Sequence, residues 1–119
     1  MRLHRSGPPN FVIGNMQQST SITKAVRLVR ELRQLTPEMS LLEAHVLLTV
    51  ARHPGINQSA VCVETGLSKS CISRHVDSLG ERKGRGLVRA STMLQDRRLS
   101  ELHLTAAGKA FVEEITGFL

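Results

Sequence analysis

The chain has 119 residues, 40% of them hydrophobic, which suits one domain built around a single apolar core. Its 16 Lys and Arg against 10 Asp and Glu give a formal charge of +6, a balance that favours a polyanion or an acidic surface as partner. Three Phe with no Tyr or Trp leave almost nothing to stack unpaired bases on, and no apolar run approaches the roughly 20 residues of a bilayer span.

Residues 1–18 read as a flexible basic arm. Gly7-Pro8-Pro9-Asn10 breaks helical structure, and Phe11-Val12-Ile13 is too short an apolar run for an export signal. With no such signal, the chain is expected in a reducing cytoplasm, where Cys62 and Cys71 stay free thiols. Residues 19–119 are expected to form the domain. From Thr20 onward, Ile22, Ala25, Val26, Val29, Leu32 and Leu35 recur at three- and four-residue steps, one stripe of a helix that Pro37 ends. Ser40-Leu41-Leu42-Glu43 reads as a capping box for a second helix over about 40–52. That helix is apolar around most of its circumference. It is therefore expected at the buried centre, with His45 as a buried imidazole.

Two short helices follow, over about 57–65 and 68–80. Gly66 supplies the sharp exit from the first, Leu67 turns back to the core, and Ser68 caps the second. Ile72, Val76 and Leu79 then form an inward stripe, with Ser70, Ser73, Arg74 and Asp77 on the outward one. After the basic, glycine-rich stretch 81–86, residues 87–91 and 99–104 read as strands around a polar tip. In the second strand Leu102 and Leu104 share one face, and Glu101 and His103 the other. Thr105 caps a last helix carrying Phe111, Val112, Ile115 and Leu119 on one side. The fold class is mainly α with a small β-hairpin (α+β), a helix-turn-helix followed by a wing.

Short polar residues and an arginine on the outward stripe let a helix settle into a major groove, where a purely solvated helix would carry long charged pairs. At the hairpin tip, Asp96 can pin one guanidinium of Arg97-Arg98 while the other reaches the narrow minor groove of A·T-rich DNA. Together the two elements point to double-stranded DNA. Separately, each has a plainer reading, as a solvent-facing helix and a self-paired turn. Cys71 and His75 lie one turn apart, but structural zinc needs four ligands and no second pair is visible, so no metal or cofactor is expected. Cys71 near Lys69 and a helix start raises redox sensing, against which it reads as a small filler with no resolving partner. No nucleophile set or phosphate loop is present, and no enzymatic activity is expected.

Ile56-Asn57-Gln58-Ser59, Gly66-Leu67-Ser68-Lys69-Ser70, Ser73-Arg74-His75-Val76-Asp77-Ser78-Leu79, Gly86-Leu87-Val88, Asp96-Arg97-Arg98 and Leu104-Thr105-Ala106-Ala107-Gly108 occur in a set order. From roughly Thr36 to Gly108 the chain thereby resembles the MarR family of bacterial and phage winged-helix regulators. The resemblance implies groove and phosphate contacts from Ser68, Lys69, Ser70, Ser73 and Arg74, with Asp96 orienting the wing and Arg97 or Arg98 in the minor groove. It also implies a homodimeric transcription repressor, in a family where many members release DNA on binding a small aromatic ligand. Such proteins usually continue into long helices that clasp the dimer. Here dimer contacts are expected from the helix at about 20–35 and the last one, and a pocket for a small-molecule effector is not expected. The long glycine-rich turn resembles short MarR-like proteins often encoded by phages. The competing reading is a winged-helix module that docks a polymerase or replication factor.

Overall fold

The computed structural model describes residues 16–91 and 99–117. In chain order these form α1 (Met16–Leu35), α2 (Leu41–Arg52), α3 (Gln58–Thr65), α4 (Lys69–Leu79), β1 (Val88–Ala90), β2 (Leu102–Leu104) and α5 (Ala106–Thr116). Among them, no helix is long and apolar enough to cross a membrane. The element order matches the sequence reading, with α1 beginning at Met16 rather than Thr20 and both strands shorter than expected.

Local chemistry explains most boundaries. The Thr36 N–H closes the last turn of α1 on Leu32, and Pro37 then bars further helix. Ser40 sits in extended backbone and its Oγ accepts the Glu43 N–H at 3.0 Å, starting α2. Thr105 does the same for α5, accepting the Gly108 N–H at 2.9 Å while donating to the Gly86 carbonyl at 2.7 Å. The two strands pair antiparallel, with Val88 opposite Leu104, Arg89 opposite His103 and Ala90 opposite Leu102. The connection after α2 extends the ladder: Gly55 N–H donates to Leu102 O, and Leu102 N–H to Ile56 O, both at 2.8 Å.

The core unites Val46, Leu47 and Val50 of α2, Val61 of α3, Ile72, Val76 and Leu79 of α4, and Leu87, Val88 and Leu102 of the hairpin. Each of the larger side chains here contributes roughly 1.5–3 kcal/mol through burial. The centre is thus one stripe of α2, not the whole helix. Leu41 is 82% exposed, Leu42 lies open, and His45, expected as a buried imidazole, is exposed. α3, α4 and β2 pack on the side of α2 that carries Val46, Leu47 and Val50, and in its first turn Glu43 and Ala44 are buried while Leu41 and Leu42 face outward. On α1 the apolar stripe is likewise uncovered, with Ile22, Val26, Val29 and Leu35 all exposed.

The capping box forms only in half. The Glu43 carboxylate, expected to reach back to Ser40, turns into the body instead. There it accepts Ser78 Oγ at 2.8 Å and the Arg85 Nε at 2.8 Å. Arg85 comes from the stretch after α4, which doubles back along that helix: Arg85 N–H bonds Ser78 O, Gly86 N–H bonds Gly80 O, and Leu87 N–H bonds Leu79 O. This close return requires glycine at 84, because a Cβ there would run into the Ser78 carbonyl. Burial alone would raise the Glu43 carboxyl, but hydrogen bonds from Arg85 and Ser78 and the Arg85 charge outweigh it and hold it below its ordinary value.

Leu102 is fully buried between α2 and the hairpin, so Leu102→Ala should cost about 2–5 kcal/mol, read from the urea midpoint. Leu41→Ala should change that midpoint by less than about 0.5 kcal/mol equivalent. Because the folded-state pKa of Glu43 is lowered, its contribution is present above the unfolded carboxylate range and is lost as pH falls through the folded value. Urea midpoints of Glu43→Gln should therefore trail the parent by on the order of 2 kcal/mol at neutral pH. The gap should close below about pH 4, and a gap that persists unchanged into acid would contradict this account.

Candidate nucleic-acid interface

The α3–α4 pair is shaped by short polar side chains that satisfy helix ends. Asn57 Oδ1 accepts the Ala60 N–H at 2.9 Å and opens α3. At its other end, Thr65 Oγ1 donates to Val61 O at 2.7 Å and accepts the Leu67 N–H at 3.2 Å. Gly66 stands at φ +75°, a left-handed conformation that costs glycine little and lets the chain turn at once. Leu67 packs against the core, and Ser68, in extended backbone, accepts the Cys71 N–H at 3.2 Å to start α4. A joint this short fixes the angle of α4 against α3.

The outward side of α4 then follows from its inward side. Ile72, Val76 and Leu79 are buried, so helical geometry sends Ser70, Arg74 and Asp77 to the exposed side. Ser68, Lys69, Ser70 and Arg74 are all exposed, and Ser73 is half-buried. The five residues singled out in the first two turns are therefore brought together. Ser68 has a structural duty as well. Its oxygen accepts the cap bond and the two hydroxyls of Ser68 and Ser70 pair at 3.4 Å, one donating to the other, which leaves one hydroxyl hydrogen of the pair for an outside acceptor. The free N–H groups of the first turn add partial positive charge on the same side, and Lys69 adds a full one.

Asp96, Arg97 and Arg98 lie outside the described residues. The stem that carries them is in place: Ser91 N–H bonds Glu101 O at 2.8 Å, one step beyond the paired strands. Three further polar side chains mark this stem. Arg89 is exposed opposite His103, and His103 Nε2 lies 3.1 Å from Glu101 Oε1 across the shared face. The alternation with buried Val88 was the available signal for Arg89. The pairing of Glu43 with Arg85 had one signal in the sequence, a carboxylate on the apolar second helix, which needs a cation if it is buried.

Cys62 packs partly buried against the core and Cys71 is half-buried in the first turn of α4, both as free thiols. Among the described residues, no group of three or more His, Cys, Asp or Glu is arranged to hold a metal ion.

Comparison with known proteins places this geometry. The family model described as MarR family matches residues 34–98. A proposed transcriptional regulatory protein for the hcr operon of Thauera aromatica is 29% identical over 91% of this chain and 70% of its own length. Among solved structures, Streptococcus pneumoniae FabT in complex with DNA superposes with a TM-score of 0.54 at 26% identity, covering 87% of this chain and 80% of that one. A mutant of S. aureus MepR bound to an oligodeoxyribonucleotide gives a TM-score of 0.68 at 21% identity, over 92% and 77% of the two chains. Against two other solved proteins the chain spans only 66% and 62% of their length. The family match covers the second helix, the helix-turn-helix and the first strand of the hairpin, and stops before β2. The chain belongs to the MarR family of winged-helix transcription regulators.

Proposed function

We propose that this regulator binds double-stranded DNA in a sequence-specific manner, as a homodimeric repressor acting in the cytoplasm. The observation that carries the reading is the outward side of α4, where a capped first turn, Lys69 and Arg74 stand among small hydroxyl side chains above a buried apolar stripe. In a major groove, Ser70, Ser73 and Arg74 address base edges. Ser68 and Lys69 address phosphate, aided by the helix N-terminus. Asp96 orients the hairpin tip, and Arg97 or Arg98 enters the minor groove. That relatives have been solved with DNA supports this assignment.

The dimer rests on α1. Ile22, Val26 and Val29 lie on one side of this helix and are 59%, 55% and 53% exposed, an apolar strip that a second copy would cover. A two-fold dimer presents two α4 helices to half-sites about 34–36 Å apart on one side of the duplex. Occupancy of such a site over a promoter blocks transcription.

Selection from random duplex DNA should recover a palindrome, and equal affinity for every duplex at physiological salt would sink the sequence-specific reading. Arg74→Ala should lower affinity for the recovered site by about 1–3 kcal/mol while leaving non-specific binding nearly unchanged. Arg97→Ala with Arg98→Ala should weaken binding more evenly across sequences and flatten its salt dependence, measured by titration at several ionic strengths. Val26→Asp should convert a sedimenting dimer to monomer. If the parent already sediments as a monomer at tens of micromolar, the dimer assignment is wrong.

A further inference from the structure

The α4–β1 turn sends Arg85 back across the body to the corner between α1 and α2. Its Nε and Nη2 donate to the two Glu43 oxygens at 2.8 and 3.4 Å, and its Nη1 donates to Thr36 Oγ1 at 2.9 Å. Glu38 Oε1, at the same corner, lies 3.7 Å from Nη1. Glu43 also holds Ser78 in the last turn of α4. One guanidinium and one buried carboxylate thus join the end of α1, the start of α2, the end of α4 and the root of the wing.

The rest of the fold gives this corner leverage. α2, α3 and α4 share the core, whereas α1 packs chiefly on α5. The tilt of α1 against α4 therefore depends on what grips its C-terminal end, and Thr36, the residue immediately after α1, is held by Arg85. Lysine cannot replace the grip: its single ammonium lacks the planar fork that meets Glu43 and Thr36 together.

We infer that Arg85 is a positioning residue that, with Glu43, fixes the angle between the α1 arm and the α4 helix and so sets the half-site spacing the dimer accepts. This rests on the DNA-binding, dimeric reading above. Magnitudes support the role. At 1.5 Å per residue, Ile22 lies about 21 Å along the helix from Thr36, so a tilt of roughly 10° at the corner moves the dimer strip by about 4 Å. That is about one base-pair step of 3.4 Å.

The test uses the full chain and the two-half-site duplex recovered by selection, with the spacer lengthened or shortened by one and two base pairs. For the native protein, one added base pair should cost at least about 10-fold in affinity. In Arg85→Lys and Glu43→Gln, affinity for an isolated half-site should stay within about 2-fold, while the spacing penalty shrinks to under about 3-fold. Thr36→Val removes only the hydrogen bond on the arm side. It carries the same expectation should the ion-pair variants fail to fold by circular dichroism. Val50→Ala, a core variant destabilised without touching the corner, should keep the native spacing profile. If the corner variants also keep that profile, or lose half-site binding along with it, the inference is overturned. If the native chain itself recovers no duplex, the DNA-binding reading fails first, and that outcome is visible without any variant.

Discussion

A carboxylate withdrawn from water must be met by donors, and Glu43 shows how much of this fold is arranged around that requirement. Desolvating the charge is costly, and the cost is offset only when every oxygen finds a partner in good geometry. Here the partners are Ser78 and Arg85, from an element distant in sequence, so satisfying one side chain aligns the α1–α2 corner with the end of α4. The apolar core also holds α2 against α4, and directional bonds to the buried charge add a second constraint on their angle.

The same logic runs through the helix-turn-helix at smaller scale. Asn57, Thr65 and Ser68 each spend a side-chain oxygen on a backbone N–H, and Gly66 takes the left-handed conformation that lets two helices meet in three residues. The result is a stiff joint. Such stiffness suits the proposed role of α4, which requires outward residues at a fixed height and rotation. Ser68 shows this most directly, since its oxygen caps the helix it begins.

Among the described residues, exposed apolar side chains include Ile22, Val26 and Val29 of α1, Leu41 and Leu42 at the start of α2, and Val63 of α3. The exposed side of α4 is polar and that of α1 apolar, so the proposed DNA contact and the proposed dimer contact fall on different elements.

Much of the architecture was legible in the chain itself. Periodicity located α1, α2, α4 and α5, the capping residues Ser40, Ser68 and Thr105 marked helix starts, and the Ile72, Val76 and Leu79 stripe oriented α4, because these signals act over three or four residues and need no partner elsewhere. What they could not convey was which apolar residues would find cover. The α1 stripe and Leu41 have the pattern of a buried face, yet exposure depends on where other elements fall. The same gap hid the fate of Glu43, read as a local capping partner for Ser40 and found bonded to residues 35 and 42 positions away. Local sequence determined the elements and the side of α4 that faces outward. Only the tertiary structure decided how the α1–α2 corner meets the end of α4, because the bonds from Arg85 to Glu43 and Thr36 join residues that become neighbours solely through folding.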